Sequence, residues 1–221
     1  MSVASPIPES AIPAFLEAAR RSGPRDYALA LAGISWGFRI TELLSIRVGD
    51  AADASGRIRT AVTVTRANLK FGQSARRKSI RSRTVPVGET LRAALGDYLS
   101  SRFGSGPFDA AAPLFAGRFP GEPLCRRHAQ RLVQSFALAA GLPLDRTWST
   151  HTLRKTYGKA VYTASGFDII KTQRALGHAD CQTTQRYLPM EDSEIQATIE
   201  AAQARFTAPT TEVRTPLRVL V

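Results

Sequence analysis

Apolar positions recur along this chain with two periods, and the change between them divides it into elements. Over residues 8–22, Ile12, Phe15, Leu16 and Ala19 fall three or four apart, the spacing of one helix face, with Ser10 as a plausible cap. Gly23-Pro24 closes that helix. Residues 26–35 are apolar on most faces, which predicts a buried helix. A third helix begins behind Arg39, with Ile40, Leu43 and Leu44, and is expected to end near Gly49-Asp50. From residue 57 to 87 the period falls to two. Val62 and Val64 alternate with threonines, and Val85 and Val87 answer them, which predicts a β-hairpin with a long polar loop containing Gly72.

Helical spacing returns at 89–102 and, after a Gly/Pro-rich loop over 104–113, at 126–141, where Leu132, Val133, Phe136 and Ala140 form a stripe. Another loop (142–148) leads to a helix starting near Thr150, and Gly166 and Gly177 punctuate two further short helices. Residues 193–206 predict a last amphipathic helix with Ile195, Ile199, Ala202 and Phe206 on one face, and 207–221 an extended tail. The fold class is α+β: mostly helical, with one small antiparallel sheet.

Composition narrows the class of partner. Of 221 residues, 30 are Lys or Arg and 18 Asp or Glu, a formal net charge of +12, which points to a polyanion. The charge is concentrated: residues 57–83 hold nine Lys and Arg and no acid. An uncompensated cluster on a hairpin suits phosphate contacts, here by Arg66, Arg76, Arg77, Lys78, Arg81 and Arg83. Cys125 and Cys181 lack the spacing of a zinc site or a disulfide framework. No secretory leader and no apolar run near the ~18 residues of a membrane span is visible, so a cytoplasmic, nucleoid-associated protein is expected.

The remaining signal is a set of chemically capable residues. His151 and Arg154 lie three apart on a predicted helix and so share a face. A guanidinium grips two phosphate oxygens in parallel, and two of them can neutralise a pentacoordinate phosphoryl transition state. Arg39 is a second such residue, Lys155 a further DNA contact, His178 sits in a Gly-His turn, and Tyr187 follows as a nucleophile. Taken singly, each has a plainer reading as an exposed helix face, a structural histidine or a half-buried tyrosine.

Together, in order and spacing, they resemble the tyrosine recombinase (phage-type integrase) family. Residues 36–44 (WGFRITELL) look like its first box, residues 151–157 (HTLRKTY) like its second, and residues 176–180 with 183–188 (LGHAD, TTQRYL) like its last. The hairpin ending RTVPV, residues 83–87, resembles the strand pair that delivers the family's lysine. The resemblance covers residues 10–206 and implies a catalytic domain over 1–206.

The resemblance also implies roles. Arg39 and Arg154 would clamp the scissile phosphate, His151 would assist the tyrosine hydroxyl, and His178 would donate to a phosphate oxygen. Tyr187 would form a 3′-phosphotyrosyl bond, and a lysine would protonate the leaving 5′-oxygen. Two lysines compete for that place. Lys70 ends the first strand ahead of Gly72 and is taken as the acid, because a residue at a strand's end is better held than one in a loop. Lys78 is the better match by distance to Pro86. Glu42 would orient its neighbours. No cofactor is implied, since the phosphotyrosyl ester keeps the energy of the broken bond.

The expected partner is double-stranded DNA, bound by a homotetrameric synapse. The resemblance leads to the expectation of a chain that begins almost at the catalytic domain, without a separate core-binding domain. Either it grips DNA from one side or an accessory protein completes the clamp. The last helix would pack into a neighbouring subunit or fold back in cis. A type IB topoisomerase, working as one protomer, and a non-catalytic DNA-binding regulator are the alternative functions.

Overall fold

One 13-residue, mostly apolar helix is the element against which several others of the larger unit pack. The structure, a computed structural model, describes residues 4–53, 55–65, 82–104 and 106–178, together with residues 196, 199, 200 and 203. It divides into two compact units, residues 1–187 and 188–221. In the first unit a 3-10 turn leads into α1 (Ile12–Ser22), followed by α2 (Pro24–Trp36), α3 (Ile40–Leu43) and α4 (Val48–Ala51). Strands β1 (Ala61–Val64) and β2 (Arg83–Pro86) come next, then α5 (Glu89–Phe103), α6 (Arg126–Ala139), α7 (Thr150–Ala164) and α8 (Ile169–Leu176). Of the predicted final helix, Gln196, Ile199, Glu200 and Gln203 are described, and all are helical. Among the described residues no helix is long and apolar enough to cross a membrane.

The reading of α2 as buried matches its surroundings. Leu29, Ala30, Ala32 and Trp36 are almost inaccessible, and α2 packs against α1, α5 and α7. It separates two apolar clusters. One joins Trp36, Phe38 and Leu43 to Val62, Val85, Leu91, Leu95, Leu114 and Phe115. The other joins Phe15, Ala30, Val133, Phe136, Trp148 and Leu153. The crossing of α2 and α7 is close because Gly33 has no side chain: a Cβ there would stand 2.5 Å from Leu153 Cδ1.

The two strands pair antiparallel in the register Val62 with Val85 and Val64 with Arg83. Val62, Val64, Val85 and Val87 enter the core, while Thr63 and Thr84 face out with their hydroxyls 2.8 Å apart. Trp36 Nε1 donates to Pro86 O at 3.1 Å, fastening α2 to β2.

The third predicted helix does not run to Gly49-Asp50. It stops after one turn, because the chain at 46–49 pairs with a distant segment. Leu114 N donates to Ile46 O (2.8 Å), Val48 N to Ala112 O (2.9 Å) and Gly49 N to Ala110 O (3.0 Å). A short separate turn, α4, comes next, and Asp50 Oδ2 accepts from Arg47 N at its start. The loop over 104–113 thereby supplies a partner for backbone that helical periodicity had assigned to a helix.

Candidate active site

Helix α7 carries His151, Arg154 and Lys155, and its first turn is fixed from both directions. Ser149 Oγ accepts from His151 N at 3.2 Å, and Thr152 Oγ1 accepts from Ser149 N at 3.0 Å. This reciprocal pair is a capping box that satisfies amides with no partner inside the helix. Gln130 of α6 adds a bridge: its Nε2 donates to Trp148 O (3.1 Å) and its Oε1 accepts from Thr150 N (3.0 Å).

One turn further in, Arg154 is 1% exposed. It donates from one terminal nitrogen to Gly37 O at 2.6 Å and from the other to Leu176 O at 2.7 Å. Those acceptors sit at the C-terminal ends of α2 and α8, where helix carbonyls lack internal partners. At α8 a Schellman turn around Gly177 uses two carbonyls, with Gly177 N on Arg174 O and His178 N on Gln173 O. The next two, Ala175 and Leu176, are taken by arginines. Gly37, in the left-handed region at φ 56°, ends α2 with a single bond from its N to Gly33 O at 3.2 Å. Both helix ends carry partial negative charge, so guanidinium groups between them are electrostatically favoured.

Glu42 gathers the outer part of the site. Its carboxylate accepts from Arg39 N at 2.8 Å and from the Arg39 guanidinium at 2.9 Å, and it lies 3.9 Å from Arg154. The Glu42 side chain is 10% exposed and that of Arg39 is 41% exposed, so Arg39 forms the open edge. His178 is buried at the far side, 7% exposed. Burial, then the charges of Arg154, Arg39 and Arg83, lower its pKa to about 4, with Glu42 opposing. Partial desolvation, then Arg154, Arg39 and Lys155, also lower that of His151, although the residue as a whole is exposed. Near neutral pH His178 is therefore uncharged, with one nitrogen that donates and one that accepts, and His151 is biased in the same direction.

The phage integrase family model matches residues 6–194. The chain belongs to the phage integrase family. It is 34% identical over 185 residues to tyrosine recombinase XerC of Methylobacterium nodulans, covering 84% of this chain and 51% of that protein. To XerC of Xylella fastidiosa (strain 9a5c) it is 30% identical over 183 residues, covering 83% and 54%. It thus spans about half the length of the curated relatives it matches. The XerA recombinase crystal structure matches with TM-score 0.67 and 25% identity over 92% of this chain and 66% of that one. The XerH recombinase in its post-cleavage complex with palindromic difH shares the fold, with TM-score 0.68 and 18% identity over 92% and 54%.

In this integrase-family chain the residues singled out from sequence fall into three groups. Arg39, Arg154 and His178 come together around Glu42, and His151 lies within reach of the charges of Arg154 and Arg39, although these residues come from the start of α3, from α7 and from the turn after α8. Two of the expected DNA contacts are wholly or partly buried. Lys155 is 7% exposed, and burial lowers its pKa. Arg83 is half-buried and donates to the carbonyls of Ala175, Leu176 and Trp36 (3.1, 2.8 and 2.7 Å). Its place on the inner face was legible in the alternation Arg83, Val85, Val87, where only a charged residue breaks an apolar row. Lys70, Tyr187, Arg66, Arg76, Arg77, Lys78 and Arg81 lie outside the described residues. Gln130 was missed altogether, since nothing in a polar helix face signals a bridge to a distant loop.

Proposed function

We propose that this chain is the strand-transfer part of a site-specific recombinase that cuts and rejoins double-stranded DNA through a 3′-phosphotyrosyl bond. The observation that carries the reading is the assembly of Arg39, Arg154 and His178 about a single carboxylate, with His151 beside the two arginines, cationic enough to hold a phosphodiester. The XerH recombinase, which shares the fold, is seen with cleaved difH DNA.

The half-open guanidinium of Arg39 takes non-bridging oxygens directly. Arg154, fixed behind it, adds a buried charge in surroundings where a charge acts strongly and needs no reorganisation. The oxygen of Tyr187 attacks phosphorus and the bond to the 5′-oxygen breaks. The tyrosine proton passes to His151, whose lowered pKa keeps an accepting nitrogen available, and Lys70 protonates the departing 5′-oxygen. Neutral His178 donates to a non-bridging oxygen. Rejoining is the reverse: the 5′-hydroxyl attacks and Tyr187 leaves.

Exchange between two duplexes uses four such sites, so the working assembly in this reading is a homotetramer on DNA. A further segment or an accessory protein covers the opposite face of the duplex.

The test is covalent trapping on nicked duplexes, without metal or nucleotide, resolved under denaturing conditions. A DNA-linked band that maps to Tyr187 and disappears in Tyr187→Phe is expected. Binding without any such band in the unsubstituted protein overturns the reading.

A further inference from the structure

Arg83 differs from Arg57 and Arg59, the other described basic residues of this stretch, which are exposed. It lies in β2 opposite Val64, on the face that Val85 and Val87 bury. Its guanidinium carbon is 4.2 Å from the centre of the Phe38 ring, a cation–π contact. From that seat it reaches both helix ends at once: Trp36 O of α2 at 2.7 Å, and Ala175 O and Leu176 O of α8 at 3.1 and 2.8 Å. Arg154 takes the neighbouring oxygen of α2, Gly37 O, and shares Leu176 O.

Both helix ends stand just ahead of residues of the site. Arg39 comes three residues after Trp36, and His178 two residues after Leu176. Two helix C-termini brought together repel through their partial negative charges and would leave carbonyls unpaired. A planar guanidinium can bridge them while stacked on a ring, and a lysine ammonium cannot.

We propose that Arg83 is a positioning residue, which holds the ends of α2 and α8 together from strand β2 and so sets the placement of Arg39 against His178. It acts through those residues and touches no reacting atom. The inference rests on the strand-transfer reading of the site for its effect on cleavage, but not for its effect on the free protein.

The experiment compares Arg83→Lys and Arg83→Met with the unsubstituted full chain, after circular dichroism and thermal unfolding establish that each is folded. The first readout is amide hydrogen exchange in the free protein over residues 36–39 and 174–178. It is expected to quicken by ~10-fold or more in Arg83→Met and to be only partly restored in Arg83→Lys, as carbonyl bridges are lost. Unchanged exchange in Arg83→Met overturns the proposal, whatever the protein does to DNA.

The second readout is single-turnover cleavage of a nicked duplex at saturating protein, measured beside DNA affinity as a function of salt. The rate is expected to fall by ~10²-fold in both variants, the scale of an ångström-level misplacement, with affinity and salt slope nearly unchanged. A salt slope weakened by about 0.9 with an unchanged saturated rate makes Arg83 a phosphate contact and overturns the proposal. If the unsubstituted protein forms no covalent product, the reading of the site fails, and the exchange measurement still decides the role of Arg83.

Discussion

Arg83 and Arg154 donate to the same oxygen, the carbonyl of Leu176, at 2.8 and 2.7 Å. Two like charges are stable this close because the acceptor belongs to a helix C-terminus and the Glu42 carboxylate lies 3.9 Å from Arg154. The arrangement makes the end of α8 part of the site's framework, and His178 comes two residues later.

Replacing Arg154 should therefore affect stability as well as chemistry. Arg154→Ala removes the guanidinium donor of Gly37 O, leaves Leu176 O to Arg83 alone, and leaves a buried carboxylate with one cation fewer. The expected loss is ~2–4 kcal/mol by urea unfolding, with cleavage reduced by ~10²-fold or more. A stability change below ~1 kcal/mol would mean that the bridge does not hold the two helix ends.

Gly37 is the second structural test. Its φ is 56°, and a Cβ placed there would lie 2.1 Å from Tyr157 Cδ1. Gly37→Ala should cost ~2–4 kcal/mol, part from the left-handed backbone and part from the clash. Adding Tyr157→Ala should recover the clash share and leave ~1 kcal/mol, which a double-mutant cycle measures. Strict additivity of the two losses would show that the ring does not press on the turn.

Acid should loosen the fold through its histidines. Burial, followed by Arg154, Arg39 and Arg83, holds His178 at about 4 in the folded chain, against Glu42, whereas an unfolded histidine titrates near 6.5. Between those values the unfolded chain binds a proton that the folded chain does not, so stability rises with pH across that window and is fully present above it. His151 shifts in the same direction. Unfolding free energy at pH 5 is expected to be ~1–2 kcal/mol below that at pH 7, and His178→Asn should flatten the slope. An equal slope in that variant would assign the effect to other groups.

The identity of the acid is open to a chemical test. A substrate with a 5′-sulfur leaving group needs little protonation, so it should restore cleavage only in the variant that has lost the true acid. Lys70→Ala is expected to be rescued and Lys78→Ala not. The opposite pattern would transfer the role to Lys78.

The sequence alone determined the succession of elements, because each rests on local spacing. The helical stripe of α1, the apolar faces of α2 and the two-residue period of β1 and β2 arise from how successive side chains must point. The order of Arg39, His151, Arg154 and His178 was legible too, since chemically capable residues stand out in short motifs. Tertiary structure decided which of these cations stays open to solvent, as Arg39 does, and which is enclosed and bonded to helix ends, as Arg154 is. Arg154 and Gly37 lie 117 positions apart, and Arg83 and Leu176 lie 93 apart. No local pattern encodes such contacts. The alternation in β2 puts Arg83 on the inner face, but that two helix ends meet beside it is decided only by the tertiary structure. The early stop of α3 has the same origin, for its backbone found partners at 110–114 that helical periodicity does not register. Hydrogen bonds to unpaired carbonyls are fixed by where helices end in space, and that is settled only when the core closes.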